Sequence, residues 1–265
     1  MKRLTKKQKD KIKYSIRDKF ELKQKAAMLN EEGLPKFLER RLPNVRRLAR
    51  NLDQLLIVAS FLEPPLKPRL IDRFLVLCEI EEIPPVVILN KTDLIANNRQ
   101  IVDNTLAIYE SVGVPAYAVS AKTGENIDRL QKLLTTKRSA LAGHSGVGKS
   151  SIINAMIPHL NLEVNEVSEQ THKGKHTTTA MRIYNLPDNT EIIDLPGIKI
   201  LDFIDIHKTE ARLYFREFLN FADECKFRDC THIHEKECAV KEAVKKGKIH
   251  PSRYDSYLAF VESLE

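Results

Sequence analysis

Hydrophobic residues are sparse from Lys2 to about Leu42, where Ile12, Ile16 and Phe20 recur every fourth position. That spacing predicts a weakly amphipathic helix, broken at Gly33-Leu-Pro35, with a further turn or two over Lys36–Leu42. The texture changes at Asp53-Gln-Leu-Leu-Ile-Val-Ala-Ser60, a continuous apolar run that reads as a buried strand. Apolar positions at helical spacing follow over Arg69–Cys78, with Cys78 packing as a small hydrophobe. Next come a strand Pro85–Asn90, a helix around Asn98–Ser111 and a strand Ala116–Val119. Farther on, Arg138–Ala142 reads as a strand and Ser151–Ile157 as a helix stopped by Pro158. Ala180–Tyr184 and Thr190–Asp194 complete the strands. Strands alternating with helices predict an α/β fold: an open, mainly parallel sheet with helices on both faces. Beyond it, Glu210–Leu219, Ala239–Lys246 and Arg253–Val261 carry helical patterns. The reading divides the chain into an arm (1–50), an α/β domain (51–206) and a small helical domain (207–265).

Charge sharpens that division. The chain has 265 residues and a formal net charge of +7, yet residues 1–50 hold 17 Lys/Arg against 6 Asp/Glu, so the excess sits in the arm. A concentrated basic segment is suited to a polyanion, nucleic acid first among them. No run is long enough for a membrane span and no apolar signal core opens the chain, so a soluble protein without a membrane partner is expected. Lysine dominates the first thirteen residues and Asp10 and Asp18 intervene, which counts against a mitochondrial transit peptide.

The junction of the strand Arg138–Ala142 with the helix after it carries Gly143-His144-Ser145-Gly146-Val147-Gly148-Lys149-Ser150, followed by Ser151. This is the Gly-x-x-x-x-Gly-Lys-Ser spacing of a P-loop, whose backbone N–H groups wrap phosphate oxygens. Lys149 adds a point charge at the β- and γ-phosphates, and the Ser150 hydroxyl is placed to ligate Mg²⁺. Asn90-Lys91-Thr92-Asp93 and Ser120-Ala121-Lys122 each follow a strand. A carboxylate at Asp93 accepts the adjacent N1–H and N2–H of guanine, whereas adenine would leave it repelled and unpaired. The Lys91 stem can lie over the ring, Asn90 can bond its other edge, and the Ala121 N–H can reach O6. Thr177 or Thr178, in the polar stretch before the strand at Ala180, is the candidate to close on Mg²⁺ and the γ-phosphate. Asp194-Leu-Pro-Gly197 ends a strand with a carboxylate for Mg²⁺ and a Gly197 N–H for the γ-phosphate.

Cys225, Cys230 and Cys238 crowd into fourteen positions with His232 and His234 between them. Three thiolates and one imidazole suit a closed, tetrahedral, structural Zn²⁺ site, with either histidine as the fourth ligand. Such a staple would stabilise a small helical domain.

The base motifs precede the P-loop here, the reverse of ordinary P-loop GTPases, so the chain resembles the circularly permuted GTPases. Together with Leu70-Ile-Asp-Arg-Phe-Leu, Gly174-Lys-His-Thr-Thr-Thr and Cys-x₄-Cys-x-His-x₅-Cys, it resembles the ribosome small-subunit-dependent GTPase A family (RsgA, also called YjeQ) from about Asn51 onward. The resemblance implies GTP hydrolysis to GDP and phosphate, stimulated by the small ribosomal subunit and its rRNA during late subunit maturation. It implies a cytoplasmic protein, an organelle remaining open; a monomer is expected. It favours His232 as the zinc ligand. It also implies an N-terminal OB-fold, in whose place residues 1–50 read as a basic helical arm. Ile198 stands where many GTPases carry the glutamine that positions the attacking water, and the resemblance supports His176 in that role, with Lys149 and Thr177 completing the catalytic group. Gly146 stands where potassium-activated GTPases often have asparagine, so that device is not expected. A GTP-sensing RNA-binding switch with negligible turnover is the alternative reading.

Overall fold

The structure, a computed structural model, describes residues 52–95, 97–157, 182–195 and 206–264. The arm expected over 1–50 lies outside the described residues. The first element is β1 (Gln54–Ser60), the apolar run itself, buried along its whole length. It leads into α1 (Pro68–Glu81), with proline in its first turn, where a missing N–H costs nothing. Then follow β2 (Pro85–Asn90), a 3₁₀ turn (Thr92–Ile95), α2 (Arg99–Ser111), β3 (Ala116–Ala118), α3 (Ile127–Leu134) and β4 (Arg138–Ala142). After these come α4 (Lys149–Met156), β5 (Arg182–Leu186) and β6 (Thr190–Asp194). The six strands are ordered β3-β2-β1-β4-β6-β5, parallel throughout except for β5, which pairs antiparallel with β6 at the edge.

Both faces of the central strands are covered, which is why they read as unbroken apolar runs. Leu56 and Val58 of β1, Val86 and Ile88 of β2 and Ile192 of β6 pack with Ile127, Leu130 and Leu134 of α3 and with Ile152, Ile153 and Met156 of α4. On the other face α1 packs against β1 and β2. Parallel register places Ser60 beside Asn90 and Leu141 beside Asp194, so the ends of β1, β2, β4 and β6 converge on one edge. In open α/β sheets ligands bind at that carboxyl edge.

The C-terminal portion comprises 3₁₀ turns at Ala211–Tyr214, Arg216–Asn220 and Ala222–Glu224, then α5 (Ala239–Lys245) and α6 (Pro251–Glu262). The helix expected over Glu210–Leu219 is therefore broken, at an extended Phe215 (φ −103°, ψ 91°). Phe215, Glu217 and Phe218 are all buried. On one α-helix Phe215 and Glu217 would point about 200° apart, so burying both requires the break. Phe215 then stacks on Phe218 at 5.4 Å and meets Tyr257 edge-on at 5.3 Å. This second core also takes in Val76 of α1. Beside it Arg253 of α6 forks onto Glu217 (2.7 and 3.1 Å) and bonds Asp72 of α1. Residues 52–264 thus pack as one compact unit, with α1 shared by both cores.

Candidate nucleotide site and metal centre

The P-loop is shaped by close approaches that only glycine permits. A Cβ on Gly143 would stand 2.2 Å from the Val58 carbonyl oxygen, and one on Gly148 2.3 Å from Asn90 Nδ2. Gly148 caps α4 at φ +92°, left-handed backbone that costs a side chain about 1–2 kcal/mol. Val147 is buried in the core between them and pins the loop, while Ser145, Gly146, Ser150 and Ser151 are partly exposed along it. Because α4 begins at Lys149, two residues before the expected start, its leading N–H groups belong to the loop itself and form an anion cradle.

Lys149 is only 9% exposed, and its ammonium donates to the carbonyls of Gly143 (3.0 Å) and His144 (3.4 Å). Burial lowers its pKa against the opposing pull of Asp194. Asp194, 2% exposed at the end of β6, has its pKa raised by burial against Lys149 and Arg182, and its Oδ1 has no hydrogen-bond partner. An orphaned carboxylate oxygen beside an anion cradle fits Mg²⁺, held directly or through water with the Ser150 hydroxyl. The His144 ring faces the neighbouring loop, with Nδ1 2.8 Å from the Ser145 carbonyl and Nε2 3.3 Å from Lys67 Nζ.

The two base motifs meet the P-loop through Asn90. Its Nδ2 donates to the Val147 carbonyl at 2.9 Å, and its Oδ1 accepts the Ala121 N–H at 3.1 Å. Asn90 is thereby a tie between three loops, and the Ala121 amide aimed at O6 by the sequence is engaged by Asn90 in this arrangement. Asp93 Oδ1 accepts from Ser120 Oγ at 2.6 Å, which fixes the carboxylate intended for guanine. Lys91, at φ +64°, donates to the Glu63 carbonyl, and burial lowers its pKa. Lys122 is exposed. His176, Thr177, Thr178, Gly197 and Ile198 lie outside the described residues.

Cys225, Cys230, His232 and Cys238 come together in space, their ligand atoms all within 4.8 Å of one another. Cys225 and Cys238 Sγ are 3.9 Å apart and His232 Nδ1 is 3.3 Å from Cys238 Sγ. Zinc–sulfur bonds of about 2.3 Å at tetrahedral angles put two sulfurs about 3.8 Å apart, so the donor set fits Zn²⁺. Burial pushes the Cys230 thiol up to about 12, so its thiolate requires a cation beside it. His234 is exposed and outside the group. The ligand loop is gripped from outside: Arg212 donates to the Arg228 and Cys230 carbonyls, Tyr257 to that of Thr231 and Tyr254 to that of His232. Glu235 accepts the Thr231 and Ile233 N–H groups at 2.6 and 3.0 Å. No local sequence signal marks Arg212, Glu235, Tyr254 or Tyr257, because each acts on backbone that only the fold brings near.

A protein-family model described as RsgA GTPase matches residues 35–204. The chain belongs to this family. Among curated RsgA relatives, the small ribosomal subunit biogenesis GTPase RsgA of Actinobacillus succinogenes is 41% identical over 235 residues, 88% of this chain and 66% of the relative. That of Haemophilus influenzae (strain PittGG) is 42% identical over 236 residues, 89% and 67% of the two chains. The chain thus spans about two thirds of the length of the curated relatives it matches. The crystal structure of YjeQ from Thermotoga maritima matches with a TM-score of 0.67 and 37% identity over 80% of this chain and 71% of that one. YloQ, a circularly permuted GTPase, matches with a TM-score of 0.64 and 31% identity, over 80% and 68%. The permuted order of motifs agrees with these RsgA-type neighbours: the P-loop strand is fourth in the chain yet lies in mid-sheet, flanked by β1 and β6. Among the described residues no helix is long and apolar enough to cross a membrane.

Proposed function

We propose that this chain binds GTP·Mg²⁺ and hydrolyses it to GDP and phosphate when it engages the small ribosomal subunit, acting late in that subunit's maturation in the cytoplasm. The observation that carries the reading is the convergence of three parts at one sheet edge: the Lys149 cradle, the orphaned Asp194 oxygen and the Ser120-held Asp93 carboxylate. Asp93 selects guanine, the P-loop amides and Lys149 hold the β- and γ-phosphates, and Ser150, Asp194 and Thr177 or Thr178 would hold Mg²⁺. The ion supplies positive charge against the transferring phosphoryl group. A water would attack the γ-phosphorus as the bond to the β–γ bridging oxygen breaks; GDP leaves with that electron pair, and the water's surplus proton passes to an oxygen of the released phosphate. His176 orients the water, replacing the glutamine for which Ile198 stands. Zn²⁺ on Cys225, Cys230, His232 and Cys238 is structural, and basic residues of the arm (1–50) meet rRNA phosphates. The protein acts as a monomer.

Names carried by the RsgA relatives support the ribosomal assignment. The aliphatic Ile198 favours a second reading, a GTP-sensing RNA-binding switch that turns over negligibly. A His176→Ala variant tests the role of that histidine in the first reading: about a 10²-fold or greater loss of subunit-stimulated turnover with GTP affinity kept is expected, on the scale of a lost positioning group. Full retained turnover would remove His176 from the mechanism.

A further inference from the structure

Glu125 lies outside both base motifs, yet it is bonded to each of them. Its carbonyl accepts the Ser120 N–H at 3.1 Å, the two residues forming an isolated antiparallel bridge. Its Oε2 is 3.0 Å from Thr92 Oγ1, and Thr92 stands between Lys91 and Asp93. Its Oε1 accepts from Arg99 Nη1, in the first turn of α2, at 2.6 Å. Thr92 is buried, and its single hydroxyl proton is shared between Glu125 and the Val119 carbonyl, also 3.0 Å away. The ring of contacts closes through Ser120, whose hydroxyl donates to Asp93.

This geometry has a mechanical consequence. Ser120 fixes one oxygen of Asp93, while the backbone that carries it is held beside Val119 by the Thr92 N–H (3.3 Å) and hydroxyl (3.0 Å), both on the Val119 carbonyl. That backbone leaves β2 through Lys91 in left-handed conformation, which persists only where neighbours hold it. A two-point fork to N1–H and N2–H needs placement within about 0.5 Å. Thr92 adjoins Asp93 in the chain, and Glu125 is the side chain that ties the Thr92 hydroxyl to the Ser120 loop. The Arg99 hydrogen bond lowers the Glu125 pKa, in keeping with an ionised carboxylate that accepts from both Arg99 and Thr92.

We infer that Glu125 is a positioning residue for guanine: by tying Thr92 to the Ser120 loop it sets the aim of the Asp93 carboxylate, without touching the base. The inference rests on the guanine reading proposed above. The test is the ratio of GDP to IDP affinity, since hypoxanthine keeps N1–H and lacks the 2-amino group. Glu125→Ala should lower the ratio about three- to tenfold, the worth of one net hydrogen bond. Glu125→Gln, which keeps an acceptor for Thr92, should stay within about twofold of the parent. Thr92→Val should match Glu125→Ala, and the double variant should be no worse than either single one. Thermal melts establish that each variant is folded. An unchanged ratio in folded Glu125→Ala and Thr92→Val overturns the inference, as does an equal fall in GDP and IDP affinity, which marks a merely structural role. If the parent protein itself binds GDP, IDP and ADP alike, the guanine reading fails first and takes this inference with it.

Discussion

At the scale of single residues, the site depends on atoms that are absent. Gly148 leaves room for Asn90, and Asn90 in turn holds both the Val147 carbonyl and the Ala121 amide. Gly148→Ala should therefore displace Asn90 and strain a backbone at φ +92°, costing about 1–2 kcal/mol in strain alone. Guanine-nucleotide affinity should fall more than tenfold with only a modest drop in melting temperature; calorimetric titration with GDP together with a thermal melt checks both. Residues of this kind were legible in the sequence because phosphate and guanine dictate residue type and spacing. Glu125 and Arg212 were not, since each bonds to another loop at a distance that no spacing rule encodes.

At the scale of elements, α1 is the piece whose role the sequence hid. Its apolar spacing announced a helix, but not that Asp72 would meet Arg253 across 181 residues of chain. Asp72, Glu217 and Arg253 are all buried, so removing the cation strands two carboxylates in low dielectric. Arg253→Ala should destabilise the protein by about 3–5 kcal/mol in urea unfolding, and adding Asp72→Asn and Glu217→Gln should recover part of that loss. The broken helix over 210–219 has the same origin: tertiary burial of Phe215 and Glu217 overrode local propensity. The helix α3 was not among the expected elements, although Ile127, Leu130 and Leu134 recur at helical spacing over its eight residues. The loop that carries the candidate metal ligands supports a prediction at this scale. Burial would raise the Glu235 pKa, but hydrogen bonds from Thr231 and Ile233 outweigh it and bring it to about 2. A folded pKa below the unfolded one means that its stabilisation is complete above about pH 4.5 and is lost as the pH falls toward 2. Stability should thus fall more steeply with acid across that window in the parent than in Glu235→Gln. Proton competition for the thiolates is common to both proteins and cancels in the comparison.

At the scale of the whole molecule, rotating the chain order leaves the sheet unchanged, because strand contacts rather than sequence order define it. The same contacts bring Asn90, Asp194 and the P-loop to one edge, although more than a hundred residues separate the first two. The portion that carries the Cys/His cluster is built onto α1, the helix that leads away from that edge. The candidate nucleotide site and the Cys/His cluster thus belong to one compact unit, an arrangement that suits the proposed control of turnover by a large partner. The proposed activity is best tested by GTP turnover of the purified protein with and without small ribosomal subunits. Slow hydrolysis alone and stimulation of tenfold or more by the subunit are expected, about 1.4 kcal/mol or more off the barrier. Flat turnover with saturating subunits, despite tight and selective guanine-nucleotide binding, would contradict it and leave the switch reading in its place.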